Sequence, residues 1–263
     1  MKIIFSKIVI NFLKNLICLF LVGLLTGCNS ENANDCIQAS GDIIDQEFPV
    51  EEFTRIRTEN DVILILKEGA EHKVIITSGK NLLNDIEVKV ENGILILQNH
   101  NSCNLVRDYG ITSATVTAPN IVEIRNSSAG AVTSEGQLTY PRLILTSNTS
   151  LAGVENIHKS GDFKLNIACD TLSIRANGKG LFEISGTASK LDVTFDDEAP
   201  RLEAQDLIAD EVQIFHRGAN KMIVNPQKSI HGTITGTGDV ISVNRPPIVE
   251  VEELYTGRLI FQD

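Results

Sequence analysis

Short apolar strands, each closed by a small-residue turn, recur through the second half of this 263-residue chain. The turns are Ser127-Ser128-Ala129-Gly130, Ser150-Leu151-Ala152-Gly153, Asn177-Gly178-Lys179-Gly180, Glu198-Ala199-Pro200, Arg217-Gly218-Ala219-Asn220 and Thr235-Gly236-Thr237-Gly238. The first apolar residue returning inward after each is Val132, Val154, Phe182, Leu202, Met222 and Val240. Their spacing is nearly constant, apart from one longer interval between Val154 and Phe182. A strand-bearing period of about 20 residues predicts a β-solenoid. One rung cannot bury its own apolar face. Stacked rungs pair their backbones about 4.8 Å apart and share one core. Small residues let the chain turn each corner. The longer interval predicts an insertion around Ile157–Asp162. A two-sheet sandwich is the competing architecture, but its turns recur roughly every 8–12 residues.

The first half alternates as strands do. Val62-Ile63-Leu64-Ile65-Leu66 runs into Lys67-Glu68-Gly69, and Val74-Ile75-Ile76-Thr77 into Ser78-Gly79. Val90 and Ile94 flank an Asn-Gly hairpin turn. Leu82-Leu83-Asn84-Asp85 reads as one helical turn. Beyond it no helical periodicity is sustained, so the domain is expected to be all-β.

The start of the chain reads differently. Lys2, Lys7 and Lys14 precede an apolar run from Leu16 to Leu25, closed by Leu25-Thr26-Gly27-Cys28. This resembles the lipobox of bacterial lipoproteins, with residues 1–27 as the cleaved signal and Cys28 as the acylated residue. The run is shorter than the roughly 20 apolar residues a spanning helix needs. Residues 28–40, Asn-rich and polar, are expected to be a flexible tether to a domain over 41–263. Removing the leader, which holds three lysines and no acid, takes the formal charge from −11 to −14. That balance speaks against nucleic acid as a partner and against electrostatic docking on anionic lipid. The chain has no Trp, which disfavours a lectin built on indole platforms.

Cys18 leaves with the leader and Cys28 carries lipid, which leaves Cys36, Cys103 and Cys169. An exported protein can hold a disulfide. Cys36 and Cys103 lie in irregular Asn/Ser-rich stretches and are the expected pair. Cys169 adjoins an alternating strand and reads as a buried small residue. No Cys-x-x-Cys or His-Glu-x-x-His occurs, and no metal or cofactor is expected.

Gly41-Asp42, Phe53-Thr54-Arg55-Ile56 and Val62-Ile63-Leu64-Ile65-Leu66 together resemble the opening of the putative auto-transporter adhesin head domain, or GIN domain. The likeness continues through Gly79-Lys80-Asn81-Leu82-Leu83, Ile86-Glu87-Val88 and Asn92-Gly93-Ile94-Leu95. It closes with the run from Ile230 to Val240 and with Pro246-Pro247-Ile248-Val249, covering about residues 41–261. The resemblance implies a right-handed parallel β-helix and an envelope lipoprotein of Bacteroidetes-type bacteria. It implies no reaction, cofactor or catalytic residue. Asn126-Ser127-Ser128 and Glu198-Ala199-Pro200 depart from the Gly-rich turns of the pattern.

Three segments carry chemistry. Asp196-Asp197-Glu198, with Asp192 and Asp206 nearby, is the densest acidic group. It reads as a solvated turn, or else as carboxylates converging on Ca²⁺ with Arg201 or Lys190 as base in a glycan-cleaving β-helix enzyme. His216-Arg217-Gly218-Ala219-Asn220 reads as a corner in which Asn220 bonds backbone groups, or as an anion site. Arg107-Asp108-Tyr109 reads as a surface ion pair closing a loop, or as a recognition loop. Nucleophile-elbow and phosphate-loop spacings are not met. The reading that best covers these residues is a non-enzymatic cell-envelope lipoprotein, held at the outer membrane by its lipid. Its solenoid would present a binding or adhesion surface to a polymer or an envelope protein. An envelope assembly subunit is the remaining alternative. Val249-Glu250-Val251-Glu252-Glu253-Leu254 would put carboxylates on the last rung as its cap.

Overall fold

The structure is a computed structural model that describes Lys14 and residues 35–101, 103–147 and 160–262. Among the described residues from 35 on it is all-β apart from two 3-10 turns, Asp35–Ile37 and Leu83–Asp85. The second is the helical turn expected at Leu82-Leu83-Asn84-Asp85. The strands of the first part are β1 (Ile43–Phe48), β2 (Arg55–Asn60), β3 (Ile63–Glu68), β4 (Lys73–Gly79) and β5 (Ile86–Glu91). They continue with β6 (Ile94–Asn99), β7 (Ser113–Ala118), β8 (Glu123–Ser128), β9 (Val132–Leu138) and β10 (Arg142–Ser147). Two long strands follow, β11 (Phe163–Ala176) and β12 (Leu181–Phe195). Next come β13 (Arg201–Glu203), β14 (Leu207–His216), β15 (Met222–Val224) and β16 (Pro226–Ile234). The last are β17 (Val240–Ser242), β18 (Ile248–Glu253) and β19 (Leu259–Phe261). All 19 join in one sheet, which wraps into a nearly closed, barrel-like form.

Two parallel ladders organise the sheet. One runs β2–β8–β10–β11–β12–β14–β16–β18. The other runs β3–β9–β11–β12–β13–β15–β17–β19. β11 and β12 serve both, their first halves in the second ladder and their second halves in the first. In the second ladder Leu64, Val132, Phe163, Phe182, Leu202, Met222, Val240 and Leu259 stand in register. All but Leu259 are fully buried. From Phe163 to Leu259 successive members are nearly evenly spaced along the chain, one rung apart. In the first ladder Ile56, Ile124, Leu145, Ile174, Val193 and Ile214 form the matching interior line. The periodic apolar positions are thus the core, and turns stack on turns: the Ala199, Ala219, Gly238 and Gly257 amides each donate to the carbonyl one rung below.

Two details depart from the sequence reading. The rung position assigned to Val154 belongs to Phe163, which pairs with both Val132 and Phe182. Val154 itself lies outside the described residues, and the longer interval runs from Val132 to Phe163. The Asn-Gly turn is one residue tighter than drawn, because Glu91 rather than Val90 faces Ile94. Asn92 and Gly93 take φ of 51° and 73°, the left-handed pair of a two-residue hairpin turn that matches strand twist.

Antiparallel strands occur at one end only among the described residues: β1 and β7 flank β4, and β5 pairs with β6. This section covers the first rung. At the opposite end β18 and β19 form the last rung, and β18 carries Glu250, Glu252 and Glu253. Two glycines mark places where rungs approach too closely for a side chain. Gly186 and Gly232 have φ of 109° and 132°, and a Cβ there would lie 1.9 and 1.8 Å from the carbonyl oxygens of their register partners Ile167 and Ile214.

Candidate interaction surfaces

Residues 100–101 and 103–112 lie in the irregular connection between β6 and β7. It is fastened to the start of the domain. Cys36 and Cys103 are joined, with Cα atoms 4.5 Å apart. The Cys103 amide donates to Asp35 Oδ2 (2.9 Å), and the Leu105 amide to the Cys36 carbonyl (3.0 Å). Arg107 completes the clasp. Its guanidinium donates to the Asp35 carbonyl (2.6 Å), Asp35 Oδ1 (2.9 Å), the Cys103 carbonyl (2.7 Å) and the Gln38 carbonyl (3.3 Å). The Arg107 side chain is only 5% exposed. A planar donor fork suits such a site, because several acceptors can be met at once with little added ordering. Below the loop lies a cavity of about 110 Å³ lined by Asp61, Leu82, Asn101, Arg107, Tyr109 and Thr112.

This geometry corrects two expectations. Arg107 is not part of a surface ion pair within Arg107-Asp108-Tyr109; it pairs instead with Asp35, 72 residues away and largely out of solvent. The flexible segment expected over 28–40 gives way to packed structure by Asp35, since residues 35–37 form a turn and Gln38 is 1% exposed. Gln38 donates to the Asn81 carbonyl, and Asn81 donates to the Ala39 carbonyl. Cys28, Cys18 and all of the leader but Lys14 lie outside the described residues. Among the described residues, no helix is long and apolar enough to cross a membrane.

A second surface runs across the rungs. Lys164, Asn166, Glu183, Ser185, Glu203 and Asp206 line a groove of about 330 Å³ over β9, β11, β12 and β13. Alternate residues of each strand point outward, so neighbours on this face come from successive rungs. Lys164 Nζ stands 3.9 Å from Glu183 Oε2, and Arg201 pairs with Glu203. Gln137 Nε2 donates to Asn166 Oδ1 (3.0 Å). The groove therefore offers amides, hydroxyls and charges of both signs.

The acidic group does not gather into one site. Asp192 sits on β12, Asp196-Asp197-Glu198 form the turn after it, and Asp206 lines the groove. Asp197 pairs with Arg217 at 3.5 Å. Among the described residues, no three His, Cys, Asp or Glu side chains are placed to hold a metal ion. Neither Arg201, engaged by Glu203, nor Lys190 has such a cluster to serve.

His216 ends β14 inside the core, fully buried, in register with Phe195 and Ile234. Its Nε2 lies 2.9 Å from the Asn220 carbonyl, and its ring meets Phe195 edge-on with centroids 5.8 Å apart. Burial pulls its pKa down, opposed by the Asn220 bond and by Asp239. Asn220 donates to the Ala199 carbonyl one rung below (2.9 Å). Arg217 faces solvent, so the two residues do not share an anion site. Cys169 is a free, partly buried thiol packed against the core, and burial pushes its pKa up to about 11. A thiol held protonated in this way is a poor nucleophile.

Solved structures share this architecture. A putative adhesin from Bacteroides fragilis is 21% identical, aligned over 85% of this chain and 99% of its own, with a TM-score of 0.73. A putative lipid binding protein from Parabacteroides distasonis is 16% identical over 84% of this chain and 97% of its own, with a TM-score of 0.57. A putative adhesin from the same species is 14% identical over 85% and 99%, with a TM-score of 0.59. At these identities the likeness is one of fold. Among curated proteins, none matches the chain. Residues 52–246, spanning both ladders from β2 through β17, match the family described as "putative auto-transporter adhesin, head GIN domain". The chain belongs to that family.

Proposed function

We propose that this protein is a non-enzymatic adhesin of the cell envelope that captures a surface polymer on the side of its stacked rungs. The supporting observation is the register of the second ladder, which carries one interior line from Leu64 to Leu259. A core of that regularity holds the outer side chains at strand spacing, about 4.8 Å per rung. The groove of Lys164, Asn166, Glu183, Ser185, Glu203 and Asp206 spreads hydrogen-bonding groups across that spacing. A polysaccharide offers hydroxyls along its length and gains from many weak contacts in a row. In this reading the rungs coil as a right-handed parallel β-helix. Residues 1–27 are a lipoprotein signal, Cys28 carries the acyl anchor, and 41–263 is the presented domain. The Cys36–Cys103 disulfide pins the tether to that domain. The partners are an outer membrane, through the lipid, and a surface polymer or envelope protein; nucleic acid is not among them.

The test is binding to a panel of purified cell-surface polysaccharides, comparing the native chain with Glu183→Ala/Glu203→Ala. A tenfold or greater loss on one polymer supports the reading. Equal binding by both proteins to every polymer, or none by the native chain, overturns it. Protease treatment of intact cells, with mass spectrometry of the Cys28 peptide, tests the location separately. The assembly reading has one observation in its favour: the last rung leaves Ile248, Val249, Leu254 and Tyr255 exposed.

A further inference from the structure

The clasp is made by polar groups, while the large apolar side chains of the loop face outward. Asp35, Arg107 and the Cys103 backbone are consumed in fastening it. Leu105, Val106 and Tyr109 are 75%, 60% and 79% exposed, and Ile37 beside them is 45% exposed. Leu105 is bonded through its amide to Cys36, the neighbour of Ile37. Tyr109 leans back over the loop, its hydroxyl donating to the Asn104 carbonyl (3.3 Å). Apolar side chains on an ordinary flexible loop can fold back on themselves. Here a disulfide and a nearly buried guanidinium hold the loop in place.

The chain itself says what this patch meets. Seven residue steps separate Cys28 from Asp35. At about 3.3–3.6 Å per residue they span at most roughly 25 Å. Cys103 is covalently tied to Cys36, so the patch cannot move much further than that from an acyl group on Cys28. We propose that Leu105, Val106, Tyr109 and Ile37 rest on the bilayer that holds the acyl chains, and so set the stance of the rungs above it. This rests on the lipoprotein reading above. The composition suits a lipid interface. Leu and Val enter the acyl boundary, and a Tyr ring sits at headgroup level with its hydroxyl bonded. Arg107 is withdrawn into the clasp, and Asp108 is exposed beside Tyr109. With a formal charge of −14 beyond the leader, the fit is to a zwitterionic surface rather than an anionic one. The last rung lies eight strand steps from β6, the strand that leads into the loop, roughly 38 Å along the stack at about 4.8 Å per step.

The chain has no Trp, so one introduced indole reports alone. The test uses the full-length acylated protein in phosphatidylcholine vesicles, with and without bromine-labelled acyl chains. Tyr109→Trp is compared with Tyr255→Trp, which sits beyond β18 on the last rung. Circular dichroism verifies that both variants fold. The expected result is a blue-shifted Tyr109→Trp emission quenched at least twofold by the brominated lipid, with Tyr255→Trp unaffected. Adding Leu105→Ser and Val106→Ser to Tyr109→Trp should remove most of that quenching. Vesicle flotation and the mass of the Cys28 peptide separate the two ways to fail. An acylated, floating protein whose Tyr109→Trp is unquenched, or quenched no more than Tyr255→Trp, overturns the docking alone. A protein without the acyl group overturns the docking together with the lipoprotein reading.

Discussion

Phe182→Ala tests the interior line at the level where its aromatic rings stack. Phe182 is fully buried between register partners Phe163 and Leu202. Its ring stacks on Phe163 at 4.9 Å between centroids and 9° between planes, and lies 6.0 Å from Phe195. Truncation removes a ring that no neighbour can replace, because the flanking rungs are fixed by their own hydrogen bonds. Buried Phe→Ala changes cost about 3–5 kcal/mol, within which the aromatic pairing accounts for about 0.5–1.5 kcal/mol. Against a total stability of about 5–15 kcal/mol, that is a large share. It corresponds to a fall in Tm of roughly 10 °C, at about 2–4 °C per kcal/mol for a chain of this size. Phe182→Leu keeps most of the volume and should cost less than about 1.5 kcal/mol. Urea unfolding followed by circular dichroism gives the free energies. Amide exchange should show protection lost first in β11, β12 and β13, since each rung is stabilised chiefly by its neighbours. A Phe182→Ala cost below about 1.5 kcal/mol, or exchange loosened evenly along the chain, would refute the shared interior line.

Three other outcomes follow from particular contacts. Gly232→Ala places a Cβ against the Ile214 carbonyl at a φ reserved for glycine, so a loss of at least about 2 kcal/mol is expected by thermal unfolding, while Gly93→Ala, whose Cβ meets open space, should bear only the φ strain. His216 is held neutral by burial; its folded pKa lies below its unfolded value near 6.5, so the unfolded chain takes up a proton first and stability falls as pH drops from about 7 towards the folded pKa. His216→Phe should flatten that part of a stability–pH profile, and an unchanged slope would exclude His216 as its source. Arg107→Met should leave the rungs intact while loosening the clasp by about 1–3 kcal/mol, seen as faster proteolysis within residues 100–112 at an unaltered global Tm.

The parts of the fold that repeat were legible, and the parts that close were not. A rung advertises itself because a large interior residue and a small corner recur at the same spacing, as at Phe182, Leu202, Met222 and Val240. Val154 misled because an apolar residue after a small-residue turn carries the same local signature whether or not a rung passes through it. The continuity of β11 and β12 across two ladders was hidden, since a period counted from corner to corner does not tell whether the strand between corners breaks. The clasp left almost no trace. Arg107 and Asp35 are 72 residues apart, and no periodicity links them. The one hint was the expected pairing of Cys36 with Cys103, which would have put their neighbours side by side. His216 was readable as a corner from Gly218 and Asn220, but its burial was not, because the register with Phe195 and Ile234 depends on the rungs on either side.

The near-constant spacing along the second ladder also bears on how such a chain can change length. Residues 202, 222 and 240 occupy equivalent places, so excising one unit between equivalent positions, such as 203–222, joins like to like. Both ladders then close again one storey shorter. A cut of half that size would instead set a corner against a strand and turn interior side chains outward. Gene duplication or loss in whole units would therefore yield relatives of different height with the same cross-section, and their differences in length should cluster near multiples of one rung.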